Sequence, residues 1–428
     1  MRVVVIGGGA AGMMAAVAAA REGAEVTLLE KNEKLGKKLY ITGKGRCNLT
    51  NACDREAFFG HVLRNPRFLY SSFGKWSNWD MMDFIEANGT PCKTERGERV
   101  FPASDRSSDV QKALDRALKQ AGVRIRLGTR AEELLFTPDG KTVRGVRVSA
   151  ARGSEKLPAD RVIVATGGLS YPSTGSTGDG YRMAEAAGHL LTERMPSLVP
   201  LEASFAPPLG KSLSCRDLMG LSLKNVAVRF RQSGRELYYD FGEMLFTHFG
   251  VSGPVILSAS GRLGEALLTE KGRAAGPVSL ELDLKPALTA EQLEARFLRE
   301  AEGQGAKQLG TFLGGWLPRA LIPAVLGQAG LAGDRKVAGV SARDRGILLA
   351  ALKCLKLEIH GLRDYDEAIV TRGGVEVREI EPATMASKRV KGLYFAGEVL
   401  DLDAETGGFN LQIAWSTGCA AGRAAAQA

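Results

Sequence analysis

Val3-Val4-Val5-Ile6-Gly7-Gly8-Gly9-Ala10-Ala11-Gly12 is the stretch that decides the fold. A β-branched apolar run leads into a glycine turn. An Ala-rich stretch follows to Arg21, and then Glu25-Val26-Thr27-Leu28-Leu29-Glu30. The order is strand, turn, helix, strand, acid, the context that a G-x-G-x-x-G dinucleotide fingerprint requires. Gly7 permits the tight turn, Gly9 lets the backbone approach a pyrophosphate, and Gly12 lets the helix pack close on the strand. The helix N-terminus turns bare N–H groups toward the phosphates. Glu30 stands 18 residues past Gly12. There its carboxylate accepts from ribose hydroxyls and disfavours a 2′-phosphate.

At 428 residues the chain is long enough for two or three domains. Its 44% hydrophobic and 25% charged content is ordinary for a globular protein. No apolar run approaches the ~18 residues of a membrane span, so no membrane association is expected. Arg2 followed directly by a strand and a functional loop argues against a cleavable leader. The six cysteines (Cys47, Cys53, Cys92, Cys215, Cys354, Cys419) form no C-x-x-C, and with four His they give no zinc pattern. The expectation is a cytoplasmic protein with reduced thiols and no metal. Cys47 and Cys53 are spaced by five residues and no second fingerprint exists, which argues against a redox dithiol.

The net charge of +9 is concentrated. Lys31 to Arg46 carries six basic residues against Glu33, and Pro207 to Arg235 carries six against Asp217. Such stretches serve cofactor phosphates, an acidic substrate or nucleic acid, or form a solvated basic face.

Along the chain, Trp76 to Ala87 reads as helix and Thr94 to Phe101 as a hairpin. Ser108 to Gln111 reads as a capping box opening a helix that ends near Gly122. Val123–Leu127, Glu132–Phe136 and Val143–Ser149 read as strands. Arg161 to Gly168 is a second buried strand ending in a glycine turn. From about Pro196 the pattern changes to an all-β unit with strands at Leu198–Phe205, Lys224–Arg231, Arg235–Phe241 and Val278–Leu284. Thr289 to Arg299 reads as helix, helical character continues through Leu317–Leu326 and Arg343–Lys353, and Leu357–Ile359 and Ala368–Thr371 return to strand. Leu393 to Glu398, then Thr406-Gly407-Gly408-Phe409-Asn410-Leu411-Gln412 and an Ala-rich helix, resume the glycine-turn chemistry. A late strand returning to the sheet, with a glycine-led helix aimed at a flavin, points to FAD rather than NAD.

Gly43 to Asn51, Ala165 to Gly168 with Thr174 to Tyr181, Phe246 to Pro254, and Phe395 to Asp401 through Gln412 together resemble one family. It is the bacterial NAD(P)/FAD-dependent oxidoreductases labelled aminoacetone-oxidase-like, or bile-acid-dehydroxylation-type flavoprotein reductases. The resemblance runs end to end. It implies an α/β fold: a discontinuous Rossmann-like FAD-binding domain with an inserted β-barrel that itself carries a small helical domain. The boundaries are 1–195 and 373–428 for the FAD domain, 196–286 and 355–372 for the barrel, and 287–354 for the helical part.

The resemblance further implies noncovalent FAD held by Gly7, Gly9, Ala10, Ala11, Gly12, Glu30, Lys31, Gly45, Arg46, Cys47, Asn48, Ala131, Thr166, Gly167, Gly397, Glu398, Gly407, Gly408, Asn410 and Leu411. Lys44 and Ala404 stand where the family often has Gly. Implied substrates range from a steroid enone to a uracil ring in ribosomal RNA, with NAD(P)H as transient reductant. No obligate protein partner is visible. His248, in a Gly/Ser-rich segment, is the leading proton donor to a reduced double bond, with Tyr171 and Cys47 as alternatives. Three functions stay open: reduction of an enone C=C, reduction of uridine to dihydrouridine in ribosomal RNA, and a flavin-binding redox protein without a dedicated substrate.

Overall fold

The computed structural model describes residues 1–151, 153–207, 213–267 and 277–427, so Lys211 of the second basic stretch lies outside the described residues. The chain divides into two units, Met1–Ser197 with Asp364–Ala428, and Leu198–Arg363.

In the first unit Val3 to Ile6 is buried throughout, as a strand covered on both faces must be. This strand, Arg2–Ile6, lies in a parallel sheet of order Leu393–Phe395, Arg161–Val164, Arg2–Ile6, Glu25–Leu29, Arg124–Arg126. The chain leaves the first strand to one side and returns later on the other. The switch point therefore falls between Arg2–Ile6 and Arg161–Val164, where ligands of open α/β sheets bind. Gly7 and Ala165 meet there so closely that a Cβ on Gly7 (φ +106°) would stand 2.4 Å from the Ala165 carbonyl oxygen.

Two helices cover this edge. The first, Ala10–Arg21, is Ala-rich and buried along most of its length. The last, Phe409–Gln427, packs on it without intervening side chains. A Cβ on Gly418 would fall 2.4 Å from Ala11 O, and one on Gly422 2.3 Å from Ala15 O. Four residues forward on one helix match four forward on the other, so the two run parallel.

Three details depart from expectation. The helix Ser107–Gln120 starts with Arg106 as N-cap and no side-chain cap. Gln111 turns inward, donating to Met13 Sδ (3.4 Å) and Asp115 Oδ1 (2.9 Å), so Ser108 and Gln111 form no capping box. The strand expected over Ala368–Thr371 pairs as Val370–Arg372 with Met195–Ser197 inside the first unit, not with barrel strands. A third strand, Gly153–Pro158, completes an antiparallel sheet with Arg130–Phe136 and Val143–Ala150.

The second unit contains a closed antiparallel barrel in the order Leu201–Phe205, Gly250–Ser252, Arg235–Phe246, Ser222–Gln232, Val278–Asp283, Leu355–Leu362. Its interior is filled by Phe205, Val228, Phe230, Phe246, Leu280 and Leu357. Helices Ala290–Ala301, Leu309–Leu313, Ile322–Ala329 and Ala342–Lys353 lie between the last two strands in sequence. Among the described residues no helix is long and apolar enough to cross a membrane. Among them also, no group of three His, Cys, Asp or Glu could hold a metal.

Candidate cofactor site

Both helices at the sheet edge begin at a glycine. Gly9 caps Ala10–Arg21 and has no side chain to bond the first-turn N–H groups. A Cβ placed there would meet nothing within 4 Å. Gly408 accepts the N–H of Gln412 at 3.1 Å and so opens the last helix, again as a glycine with no side chain of its own. Helix N-termini left this way offer N–H donors and a partial positive charge to an anion. Gly408 precedes Gly418 by ten residues and Gly9 precedes Ala11 by two. With Gly418 on Ala11, the second N-terminus projects about 12 Å beyond the first. The two ends thus offer donors at two points of an extended dinucleotide, which fits FAD.

The loops around these ends are held by acids. Glu30 is buried; its Oε2 accepts from Gly8 N–H at 2.8 Å. Its Oε1 accepts from Asn32 N–H and Asn32 Nδ2, each at 2.8 Å. The carboxylate therefore splints the glycine loop, and its remaining lone pairs are what a ribose could use. Lys31 does not reach into open space. Its Nζ donates to Thr177 Oγ1 and Asp179 Oδ2, both at 2.6 Å. Arg130 (2.8 Å) and Arg182 also bond Asp179. Burial pushes the Asp179 carboxyl up, but Lys31 and Arg130 outweigh it and hold it at about 2. Ala131 is buried two residues past Thr129, whose N–H donates to Glu30 O at 2.9 Å.

At the next loops, Glu398 accepts from Lys38 Nζ (2.8 Å), Ser170 Oγ (2.7 Å) and Thr371 N–H (2.8 Å). Its carboxylate thereby ties the loop after Arg161–Val164 to the loop after Leu393–Phe395. Tyr171 follows in the left-handed region (φ 51°), half-buried, with burial and then Glu367 pushing its hydroxyl up. Thr166 Oγ1 is buried with no hydrogen-bond partner among the described residues, which suits a ligand group. Gly167 (φ +73°) and Gly397 (φ +77°) take backbone shapes that side chains rarely adopt, and a Cβ on Gly397 would crowd Ala11 at 2.7 Å.

The segment Gly43–Asn48 is a run of turns with Lys44 and Cys47 at positive φ and Gly45 (φ +85°) facing open space. Arg46 bonds Asp105 (2.8 Å) and Glu95 (2.5 Å) and lies over the Phe101 ring at 4.1 Å. Cys47 is fully buried, and burial pushes its thiol far above the usual range; Cys53 is pushed up to about 11 for the same reason. Neither is a ready thiolate. With its nitrogen toward the Thr50 and Val100 carbonyls (3.2 and 3.3 Å), Asn48 accepts from Gly408 N–H at 3.1 Å. Asn410 folds back on Ala404, accepting from its N–H (2.9 Å) and donating to its carbonyl (2.7 Å). Leu411, half-buried, is in the first turn of the last helix.

His248 belongs to the other unit. It is exposed in the turn before Gly250–Ser252, with its ring edge-on to Phe249 at 4.9 Å. The basic stretches are partly spent. Lys31, Lys37, Lys38 and Arg46 pair with acids. In the barrel Arg229 pairs with Glu236 and Arg231 with Glu281, while Arg216, Lys224 and Arg235 are exposed.

Sequence reading missed the Lys38–Ser170–Glu398 tie, the Asp179 cluster and a His61–Glu405 pair. Lys38–Ser170, Lys31–Asp179, His61–Glu405 and Lys38–Glu398 are 132 to 360 residues apart, beyond any local pattern. An E–x₂–D–x–D–x–E alternation over Glu398, Asp401, Asp403 and Glu405 was the available signal for the last.

Fold and site together define an FAD-dependent oxidoreductase. The chain belongs to the HI0933-like protein Rossmann domain family, whose model matches residues 1–424. It is 34% identical over 429 residues to a 3-dehydro-bile acid delta(4,6)-reductase of Clostridium scindens, covering 100% of this chain and 99% of that one. It is 31% identical over 416 residues to a ribosomal RNA dihydrouridine synthase of Haemophilus influenzae, covering 97% and 96%. Among solved structures, a 3-ketosteroid delta1-dehydrogenase from Sterolibacterium denitrificans aligns with TM-score 0.54 at 16% identity, covering 99% of each chain, a likeness of fold.

Proposed function

We propose that this protein reduces a carbon–carbon double bond conjugated to a carbonyl in a small steroid-like substrate, with NAD(P)H as transient reductant. The observation that carries the reading is the pair of parallel helix N-termini at the switch point, each opened by a glycine and set about 12 Å apart along one axis. Bound there, FAD supplies hydride transfer between the nicotinamide and the substrate. Gly9 and Ala10–Gly12 hold its pyrophosphate, Glu30 its ribose, and Gly407 to Leu411 its ring end. The end-to-end likeness to a bile acid reductase supports an enone substrate.

A second reading, dihydrouridine formation in ribosomal RNA, draws on the relatives of that name and on exposed Arg216, Lys224 and Arg235. The two readings share their chemistry, because the uracil C5=C6 bond is also conjugated to a carbonyl. We place the protein in the cytoplasm. The domain boundaries given from the sequence remain part of the proposal, with residues 364–372 grouped in the first unit; of the donors read from the sequence, His248, Tyr171 and Cys47, burial weakens the claim of Cys47.

Anaerobic stopped-flow tests the reading. Enzyme reduced with NADPH or NADH is mixed with a 3-keto-4-ene steroid, with unmodified ribosomal RNA, or with O₂. Reoxidation by the steroid far faster than by O₂ is expected. Reoxidation by RNA alone selects the second reading, and by O₂ alone a flavin-binding redox protein without a dedicated substrate.

A further inference from the structure

His61 sits where the helix Arg55–Gly60 ends, and the chain then runs antiparallel to the segment before Gly407. Val62 bridges Ala404, Leu63 N–H donates to Asp403 O (2.8 Å), and Glu405 N–H donates to His61 O (3.0 Å). This pairing sets the His61 ring beside the Glu405 carboxylate, with Nδ1 to Oε2 at 2.6 Å. The ring stacks on Phe409, centroids 4.3 Å apart and planes 20° apart. Phe409 is the first residue of the last helix, directly after Gly407 and Gly408. The Glu405 side chain is 11% exposed and the His61 side chain 43%, so the imidazole is held at its Nδ1 edge and on its Phe409 face and is otherwise partly exposed. The first unit has one other histidine, His189, which is buried between Glu379 and Ser387.

A carboxylate bonded to Nδ1 fixes the ring's orientation and leaves Nε2 to exchange a proton outward. We infer that His61, positioned by Glu405, is the catalytic acid of the reduction, in place of His248. The inference rests on the enone reading above. As the β-carbon of the enone takes up hydride supplied by NAD(P)H through FAD, the double-bond electrons move to the α-carbon. His61 Nε2–H delivers its proton there: one N–H bond breaks, one C–H bond forms, and the ring goes from imidazolium to neutral. Water then reprotonates it. Glu405 keeps its hydrogen bond to Nδ1 and acts as a positioning residue.

The test uses the flavin-loaded protein. His61→Ala and His61→Gln should slow reoxidation of the reduced enzyme by a 3-keto-4-ene steroid by about 10²–10⁴-fold. Flavin reduction by NAD(P)H should stay within about twofold, and added imidazole should restore the His61→Ala rate, which no merely structural role predicts. Glu405→Gln should show a smaller loss with the same split between half-reactions.

A second readout needs no turnover. With four histidines in the chain, the His61 ring resonances are assignable by single substitutions, and they should shift when apoprotein takes up FAD. Unchanged reoxidation in both His61 variants, or loss in His248→Ala with none in His61→Gln, overturns the assignment. So does a His61 ring that does not respond to FAD. If no enone reoxidises the wild-type enzyme, the enone reading and this catalytic role both fall. The NMR arm then still decides whether His61 borders the cofactor.

Discussion

Asp403→Asn tests the electrostatics of the segment that carries Glu398, Asp401 and Glu405. Asp403 is fully buried. Burial, only partly opposed by Arg372 and by the Ser197 hydroxyl (3.0 Å), pushes its carboxyl from 3.8 to about 6. The folded chain therefore holds this proton more tightly than the unfolded chain. Between 3.8 and 6 the native state binds more protons, so stability falls as pH rises through that window. The full penalty is about 3 kcal/mol, 2.2 units at 1.36 kcal/mol each. Integrated from pH 5 to pH 8 it grows by about 1.4 kcal/mol.

Asparagine cannot ionise, so the stability of the variant relative to wild type should rise by that amount over the same range. A fixed packing cost of the amide cancels in the comparison. The assay is urea unfolding at pH 5, 6, 7 and 8 in a Trp316→Phe background. Tryptophan fluorescence then comes from Trp76, Trp79 and Trp415, all in the unit that contains Asp403. A variant-minus-wild-type difference constant to within about 0.4 kcal/mol across the range would refute the reasoning.

Gly408→Ala places a Cβ 2.4 Å from the Thr50 backbone at φ +100°, and should cost about 2–5 kcal/mol with loss of bound flavin. Thermal melting and the flavin-to-protein absorbance ratio check it. Glu30→Gln turns an amide donor toward donors on Gly8 or Asn32; about 1.5–3 kcal/mol of loop stability should go, with weaker FAD binding measured by fluorescence titration. Lys31→Met removes a partner from Asp179, whose depressed carboxyl contributes stability above 3.8 that is lost as pH falls toward 2. A cost of about 1 kcal/mol at pH 7, discounted for the half-exposed Arg130 and Arg182, should shrink below pH 4 in a melting series.

What the residues disclosed in advance was local. Gly7 and Gly12 announce a turn because a Cβ at either would strike a backbone carbonyl, of Ala165 and of Gly7, and the strands Arg2–Ile6 and Glu25–Leu29 announce themselves by mostly apolar, β-branched runs. Thr289 was readable as an N-cap because its hydroxyl and Gln292 complete a reciprocal pair. Ser108 and Gln111 show the same spacing and fail, since Gln111 finds Met13 and Asp115 in the core instead. Thr247 to Pro254 reads only as a Gly/Ser-rich segment, and within it Gly250–Ser252 is a barrel strand. There a Cβ on Gly250 would stand 2.3 Å from Leu201 O, so glycine marks close strand approach rather than a turn. That Lys31 meets Asp179, and Arg46 meets Glu95 and Asp105, no local pattern shows. His61 was passed over because its partner lies 344 positions away.

The glycine seam between Ala10–Arg21 and Phe409–Gln427 has a kinetic consequence. Its two halves are separated by nearly the whole sequence, including all of Leu198–Arg363. Closing so long a loop is entropically costly and slow, while every barrel pairing closes a shorter one. Flavin capture requires the seam, so in refolding the yellow protein should emerge last, after the barrel strands have paired. The colour of a preparation thus registers whether the distant segments have met.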